Sequence, residues 1–179
     1  AMRSNSFLVD QLIRIIFDMA TQKAYPTPNK TTSEQLSIVA IGGYGREELA
    51  PYSDVDLMFL IPYKETPYCE QVIEFILYML WDMGLKIGHS TRSVDDVIRL
   101  ARQDITIRTA VLDSRWLWGS QELYRELKSR FIVEVVEGTG LNFVEAKLKE
   151  RDERHDRMGD TRYVVEPNLK EGKGGLRDL

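Results

Sequence analysis

Leu8, Leu12, Ile15, Ile16 and Met19 recur at helical spacing, which predicts an amphipathic helix over 7–22 with those residues as its buried stripe. The stretch 23–35, with Pro26, Pro28, Asn29 and Thr31-Thr32-Ser33, reads as a loop. Leu36 to Ile41 is a short apolar run ending at Gly42-Gly43, the pattern of a buried strand. A polar, glycine-containing connection leads to a second strand, Val55 to Ile61, stopped by Pro62. Thr66-Pro67 is a helix start, with Thr as N-cap and Pro in the first turn, and Gly84 is its stop. Between them Val72, Ile73, Phe75, Ile76, Leu77, Met79, Leu80 and Trp81 leave almost no polar face, so this helix is expected to be buried.

A third strand is predicted over 85–91, and Ser93-Val94-Asp95-Asp96 opens another helix. Residues 105–118 are predicted helical, against the β-branched Ile105, Thr106, Ile107 and Thr109. Ser120 caps a helix carrying Leu123, Leu127 and Phe131. From Leu141 a heavily charged helix runs to Asp160, most simply a solvated face. A strand-like Arg162 to Glu166 and a Gly/Lys-rich turn follow. The pattern is α+β, a small mixed sheet flanked by helices with further helices toward the C-terminus. It divides into an N-terminal helix and loop (1–35), a core (36–118) and a helical extension with a strand and turn (119–179). The chain stops at Gly174-Gly175-Leu176-Arg177-Asp178-Leu179 without an evident end to that element, so a piece of a longer protein is expected.

Composition narrows the chemistry. One cysteine excludes an internal disulfide framework and a cysteine-built zinc site, and His89 and His155 are too few and too far apart for a histidine-built one. Cys69 reads as a buried helix residue rather than a nucleophile. Carboxylates remain as the available metal ligands. The formal net charge of −4 argues against nucleic acid held by net positive charge. No apolar run is long enough for a membrane span, and Leu8 to Met19 is too interrupted by charge for a secretory signal, so a cytoplasmic protein without membrane partners is expected.

The candidate site lies between the first two strands, from Gly42-Gly43-Tyr44-Gly45-Arg46 to Ser53-Asp54-Val55-Asp56. Asp is depleted in strands, yet two sit at the start of an apolar one. Strand alternation puts Asp54 and Asp56 on one face, with Cα atoms about 6.6 Å apart. Two such carboxylates suit hard cations such as Mg²⁺ and hence phosphoryl-type transfer. The glycines permit a tight turn and close approach to a ligand. Glu47-Glu48-Leu49 is expected to form a helical turn whose N–H groups face phosphate, with Arg46 and Ser53 as further phosphate contacts. Either feature alone is a common turn or a solvated strand start; their combination between two apolar strands is what points to chemistry.

This segment resembles the signature of the DNA polymerase β-type nucleotidyltransferase superfamily, a Gly-Gly turn, a short helix and Asp-x-Asp on a strand. The fuller string to Leu57 is similar to the N-terminal domain of the bacterial protein-PII uridylyltransferase/uridylyl-removing enzymes. Lys86 to Ser93, Val111 to Arg115 with Gly119, and Val165 to Leu179 agree with it. The resemblance implies a polymerase β-like fold and Mg²⁺-dependent transfer of UMP from UTP to a tyrosine hydroxyl of the PII signal protein, releasing pyrophosphate, in nitrogen regulation. It implies Asp54 and Asp56 as catalytic metal ligands and Gly42, Gly43 and Ser53 at the triphosphate. The hydrolytic and glutamine-sensing domains of that family are not expected within this chain.

One departure matters. The superfamily carries a third carboxylate on a later strand, where this chain has Ser90. Asp113 and Glu166 are the candidate substitutes, Asp113 equally a structural partner of Arg115 or a helix-end residue, and Glu166 equally a structural residue at a strand end. Arg92 either contacts phosphate or pairs with Asp95 or Asp96. Lys170, Lys173 and Arg177 either approach the nucleotide or form a solvated loop, and Trp116 and Trp118 read as core. The rivals are an adenylyltransferase acting on glutamine synthetase, and a catalytically silent nucleotide-binding module.

Overall fold

The computed structural model describes residues 2–27, 31–157, 169 and 173–175. These fall into two compact units, Ala1–Val135 and Val136–Leu179. The first holds helix α1 (Met2–Met19), continued as a π-turn through Ala24, then β1 (Ser37–Ala40), α2 (Gly42–Gly45), β2 (Val55–Ile61), α3 (Pro67–Asp82), β3 (Ile87–Ser93), α4 (Val94–Gln103), α5 (Ile105–Leu112), β4 (Arg115–Gly119) and α6 (Gln121–Phe131). The second holds α7 (Gly140–Arg157). The predicted strand 162–166 lies outside the described residues.

The four strands form one mixed sheet in the order β3-β2-β1-β4. β1 is antiparallel to both neighbours, and β2 and β3 are parallel, joined by α3. Every β1 residue and all but Asp56 of β2 are buried, as central strands covered on both faces require. On one face Ile38, Ala40, Val55, Leu57, Phe59 and Ile61 share a core with α1 and α3. On the other, α6 packs over β1, β2 and β4, with α4 against α6. The fold class is therefore the α+β arrangement expected, a small mixed sheet flanked by helices.

Local signals place the helices well. Thr66 accepts from the Cys69 N–H at 3.2 Å, with Pro67 in the first turn and Gly84 at φ +79° just past the end. Ser93 accepts from Asp96 N at 3.1 Å, and Ser120 from Leu123 N at 3.4 Å. Burial pushes the Cys69 thiol up, in keeping with an inert core cysteine.

Three expectations are corrected. Residues 115–118 form strand β4, not the end of a helix, because Arg115, Trp116, Trp118 and Gly119 pair with β1 across a bulge between Ile38 and Val39. The buried stripe of α1 is Val9, Ile13 and Ile16, continued by Ala20, while Leu8, Ile15 and Met19 are exposed. Both stripes are apolar at helical spacing. Polar contacts of Ser6 and Asp10, described below, select between them. Finally, the loop 23–35 contains a one-turn 3-10 helix, Thr32–Glu34, closed by Thr31 N–H donating to Glu34 at 2.9 Å.

Candidate active site

The helical turn after β1 is made by the glycines themselves, Gly42 to Gly45, rather than by Glu47-Glu48-Leu49. Gly42 sits at φ +60°, the left-handed region that favours glycine. Gly45 N and Arg46 N close the turn onto Ile41 O and Gly42 O at 3.1 and 3.2 Å. Glu48 N then returns to Gly43 O at 2.9 Å, with Glu47 left-handed at φ +63°, so the chain turns back instead of continuing as a helix. Ile41 N donates to Asp56 O at 3.1 Å, which ties the base of this turn to the aspartate strand.

Val55 and Leu57 point into the core, leaving Asp54 exposed and Asp56 half-buried beside them. The Asp56 carboxylate lies between two glycines. A Cβ on Gly42 would stand 3.4 Å from its Oδ2, and one on Gly88, its register partner in β3, 2.5 Å from Oδ1. The structure thus brings Gly42, the Asp56 carboxylate and Gly88 together, with Ser53 and Asp54 exposed at the strand entrance.

The other predicted residues divide. Ser90 and Arg92 are in register with Met58 and Leu60, on the face Asp56 shares. Arg92 is therefore about 13 Å along the strand from the level of Asp56. The two acids offered as its partners are engaged elsewhere, Asp95 with Arg130 at 2.7 Å and Asp96 with Arg99 at 2.8 Å. Arg46 donates to Glu48 at 2.9 Å and to Asp113 at 2.6 Å. These acids, Glu48 foremost, raise its pKa. Asp113 is thus the partner of Arg46, and Arg115 pairs with Asp10 instead. No group of three or more His, Cys, Asp or Glu suited to a metal occurs among the described residues. Glu166 and Lys170 lie outside them, and Lys173 is in an exposed turn of the second unit.

Sequence reasoning missed the support of the glycine turn. Arg115 of β4 donates to both Asp10 carboxylate oxygens at 2.8 and 3.1 Å, and to Tyr44 O and Gly45 O at 3.3 Å each. The Tyr44 hydroxyl donates to Asp10 at 2.6 Å. Burial first, then this bond to a carboxylate, pushes the Tyr44 phenol far above its usual range. Burial disfavours the Arg115 cation, but Asp10 more than offsets it. Nearby, Asn5 donates to Leu49 O at 3.1 Å and Ser6 accepts from Leu49 N at 3.3 Å. No local signal marks these partners; the lone Asp10 and Arg115 are far apart in sequence.

The family model for GlnD PII-uridylyltransferase matches residues 142–179. The chain is 63% identical over 175 residues to a bifunctional uridylyltransferase/uridylyl-removing enzyme of Rhodospirillum rubrum, a match covering 98% of this chain and 19% of that protein. The same-named proteins of Azospirillum brasilense and Erythrobacter litoralis are 60% and 59% identical, over 99% and 98% of this chain and again 19% of theirs. The chain thus spans about a fifth of the length of the curated relatives it matches. A solved toxin-antitoxin structure with AMP-PNP is similar at 13% identity and TM-score 0.37, over 87% of this chain and 97% of that one. With such identity along nearly its whole length, the chain matches one domain-sized part of the bifunctional uridylyltransferase/uridylyl-removing enzymes.

Proposed function

We propose that this chain carries a nucleotidyltransferase site that moves UMP from UTP, with Mg²⁺, to a tyrosine hydroxyl of the PII signal protein in the cytoplasm. The observation that supports it most directly is the Asp56 carboxylate seated between Gly42 and Gly88, with Asp54 exposed at the same end of β2. Glycine on both sides lets the carboxylate sit against the backbone of both segments, and a Gly-rich turn borders it. The donors fit Mg²⁺: hard carboxylate oxygens from two side chains, where this ion commonly takes one or two carboxylates and completes its shell with phosphate and water. Asp54 and Asp56 would hold the ion, which supplies charge neutralisation on the triphosphate.

In this reading the tyrosine oxygen bonds to the α-phosphorus as the bond to pyrophosphate breaks, and the phenolic proton is lost. Gly42, Gly43 and Ser53 fix the triphosphate so that the α-phosphorus is in line with the incoming oxygen. Arg46, held between Glu48 and Asp113, is a cation fixed beside the turn.

A silent nucleotide-binding module is the second reading, favoured by Ser90 at the usual acid position and by the pairing of Asp113 with Arg46. Incubation with Mg²⁺, labelled UTP or ATP, and purified PII separates the readings, with a full-length relative in parallel. Label on PII from UTP, lost in Asp54→Asn and Asp56→Asn of unchanged fold, is the expected result. Transfer retained by the folded double variant rejects the site. Label from ATP alone shifts the reading to adenylyl transfer, and binding of UTP without transfer in either protein supports the silent module.

A further inference from the structure

A helical turn with three glycines in its four residues has little rigidity of its own, because glycine loses the most conformational freedom on ordering. Such a turn holds one shape only if outside groups hold it. Arg115 is one such group, beside the Ile41 N to Asp56 O bond at the base of the turn. Its Nε donates to Gly45 O, one terminal nitrogen to Asp10, and the other to Asp10 and Tyr44 O, so all three nitrogens are committed. It thereby bonds to the two carbonyls that end the turn, of which Tyr44 O also accepts from Glu47 N at 3.1 Å. Its cation also lies 5.5 Å from the Tyr44 ring centroid.

Arg115 is itself held by Asp10, whose two oxygens receive both terminal nitrogens and the Tyr44 hydroxyl. The pair is largely shielded, with side chains 24% and 20% exposed. Removing the Asp10 charge would leave the half-buried guanidinium with only the more exposed Glu47, 3.9 Å from Nε, as counter-ion. Asp10 sits on α1, in the segment that the sequence pattern set apart from the core.

Resting on the nucleotide-binding reading above, we infer that Asp10 is a positioning residue for triphosphate binding: through Arg115 and Tyr44 it fixes the glycine turn in the shape that receives the phosphates. α1 is then part of the nucleotide site and not only a cover for the sheet. Asn5 and Ser6, from the same helix, hold the outgoing chain at Leu49 in the same way.

The test is titration of this chain with Mn²⁺ alone, Mn²⁺–tripolyphosphate and Mn²⁺–UTP, alongside thermal melts, for wild type, Asp10→Asn, Arg115→Lys, Tyr44→Phe and Arg130→Gln. Arg130 of α6 bonds to Asp95 of α4 and to Glu134 just past the end of α6, so it reports loss of an ion pair elsewhere. Expected is a loss of UTP and tripolyphosphate affinity of about tenfold or more in Asp10→Asn and Arg115→Lys, with Mn²⁺ affinity unchanged. Arg130→Gln is expected to melt earlier yet bind UTP as wild type does. Tyr44→Phe keeps the Asp10–Arg115 pair and carries the test if the charge variants do not fold; it should weaken UTP binding by a smaller factor. UTP affinity equal to wild type in the folded variants overturns the inference, as does a loss matched by Arg130→Gln at equal loss of melting temperature. Absence of UTP binding by wild type overturns the functional reading itself, a result that does not depend on any variant.

Discussion

Gly88 stands directly across the parallel ladder from Asp56, and a single added carbon on it would lie 2.5 Å from the Asp56 carboxylate oxygen. The glycine and the acid on adjacent strands are one feature: the space that one lacks is the space the other fills. In a strand, alanine is favoured over glycine by about 0.5–1 kcal/mol. Gly88→Ala is therefore expected to leave the melting temperature near wild type while displacing the carboxylate. Mn²⁺ affinity and UMP transfer should fall together. Unchanged Mn²⁺ binding in Gly88→Ala would show that the carboxylate has no metal role.

Gly42 and Gly43 should behave differently although they are adjacent. Gly42 has φ +60°, whereas a Cβ on Gly43 would meet nothing closer than 3.9 Å. Gly42→Ala is expected to cost about 1–2 kcal/mol of stability for its left-handed backbone. Gly43→Ala should cost little stability and should weaken nucleotide binding instead. Denaturant titration and UTP titration of the two variants check this, and equal stability losses would contradict it.

Asp113 is engaged by Arg46, so Asp113→Asn should leave Mn²⁺ affinity as in wild type. Arg46 is half-exposed, and loss of such a pair costs at most about 1 kcal/mol. A large fall in Mn²⁺ affinity would instead make Asp113 the third metal ligand.

The start of α4 carries a pH-dependent element. Arg99 first, then Ser93, holds the Asp96 carboxyl below its usual range. A folded-state pKa below the unfolded one gives stability that is present above the unfolded value, near pH 3.9, and is lost as pH falls through the lower folded value. Asp96→Asn should remove this acid-side contribution, leaving a flatter stability curve below about pH 4. Ser93→Ala should cost about 1 kcal/mol at neutral pH through the lost cap. Melting curves across the acid range measure both, and an unaltered acid slope in Asp96→Asn would refute the assignment.

Much of the candidate site's local geometry was legible in the chain because its signals are local. The alternation that buries Val55 and Leu57 also puts Asp54 and Asp56 together, and the period of a strand is written in consecutive residues. Thr66, Ser93 and Ser120 cap helices through atoms three residues on, so their role is visible in a short window. The resemblance carried the family for the same reason: its motifs are contiguous strings.

What the sequence could not decide was partner choice across long separations. Arg115 to Gly119 became a strand because β1, far back in the chain, offered an edge to pair with; no local period distinguishes that outcome from a further helical turn. The two apolar stripes of α1 were equally helical, and the one containing Val9, Ile13 and Ile16 went inward, with Ser6 and Asp10 placed to meet Leu49, Tyr44 and Arg115. Arg46 likewise meets Asp113, 67 residues away and just before β4, the strand laid beside β1. The sequence by itself determined the aspartate pair, the glycine turn and the helix caps, since each depends on near neighbours. Only the tertiary structure decided what holds that turn in shape, because hydrogen bonds and ion pairs between distant residues exist only once the sheet has brought them within reach.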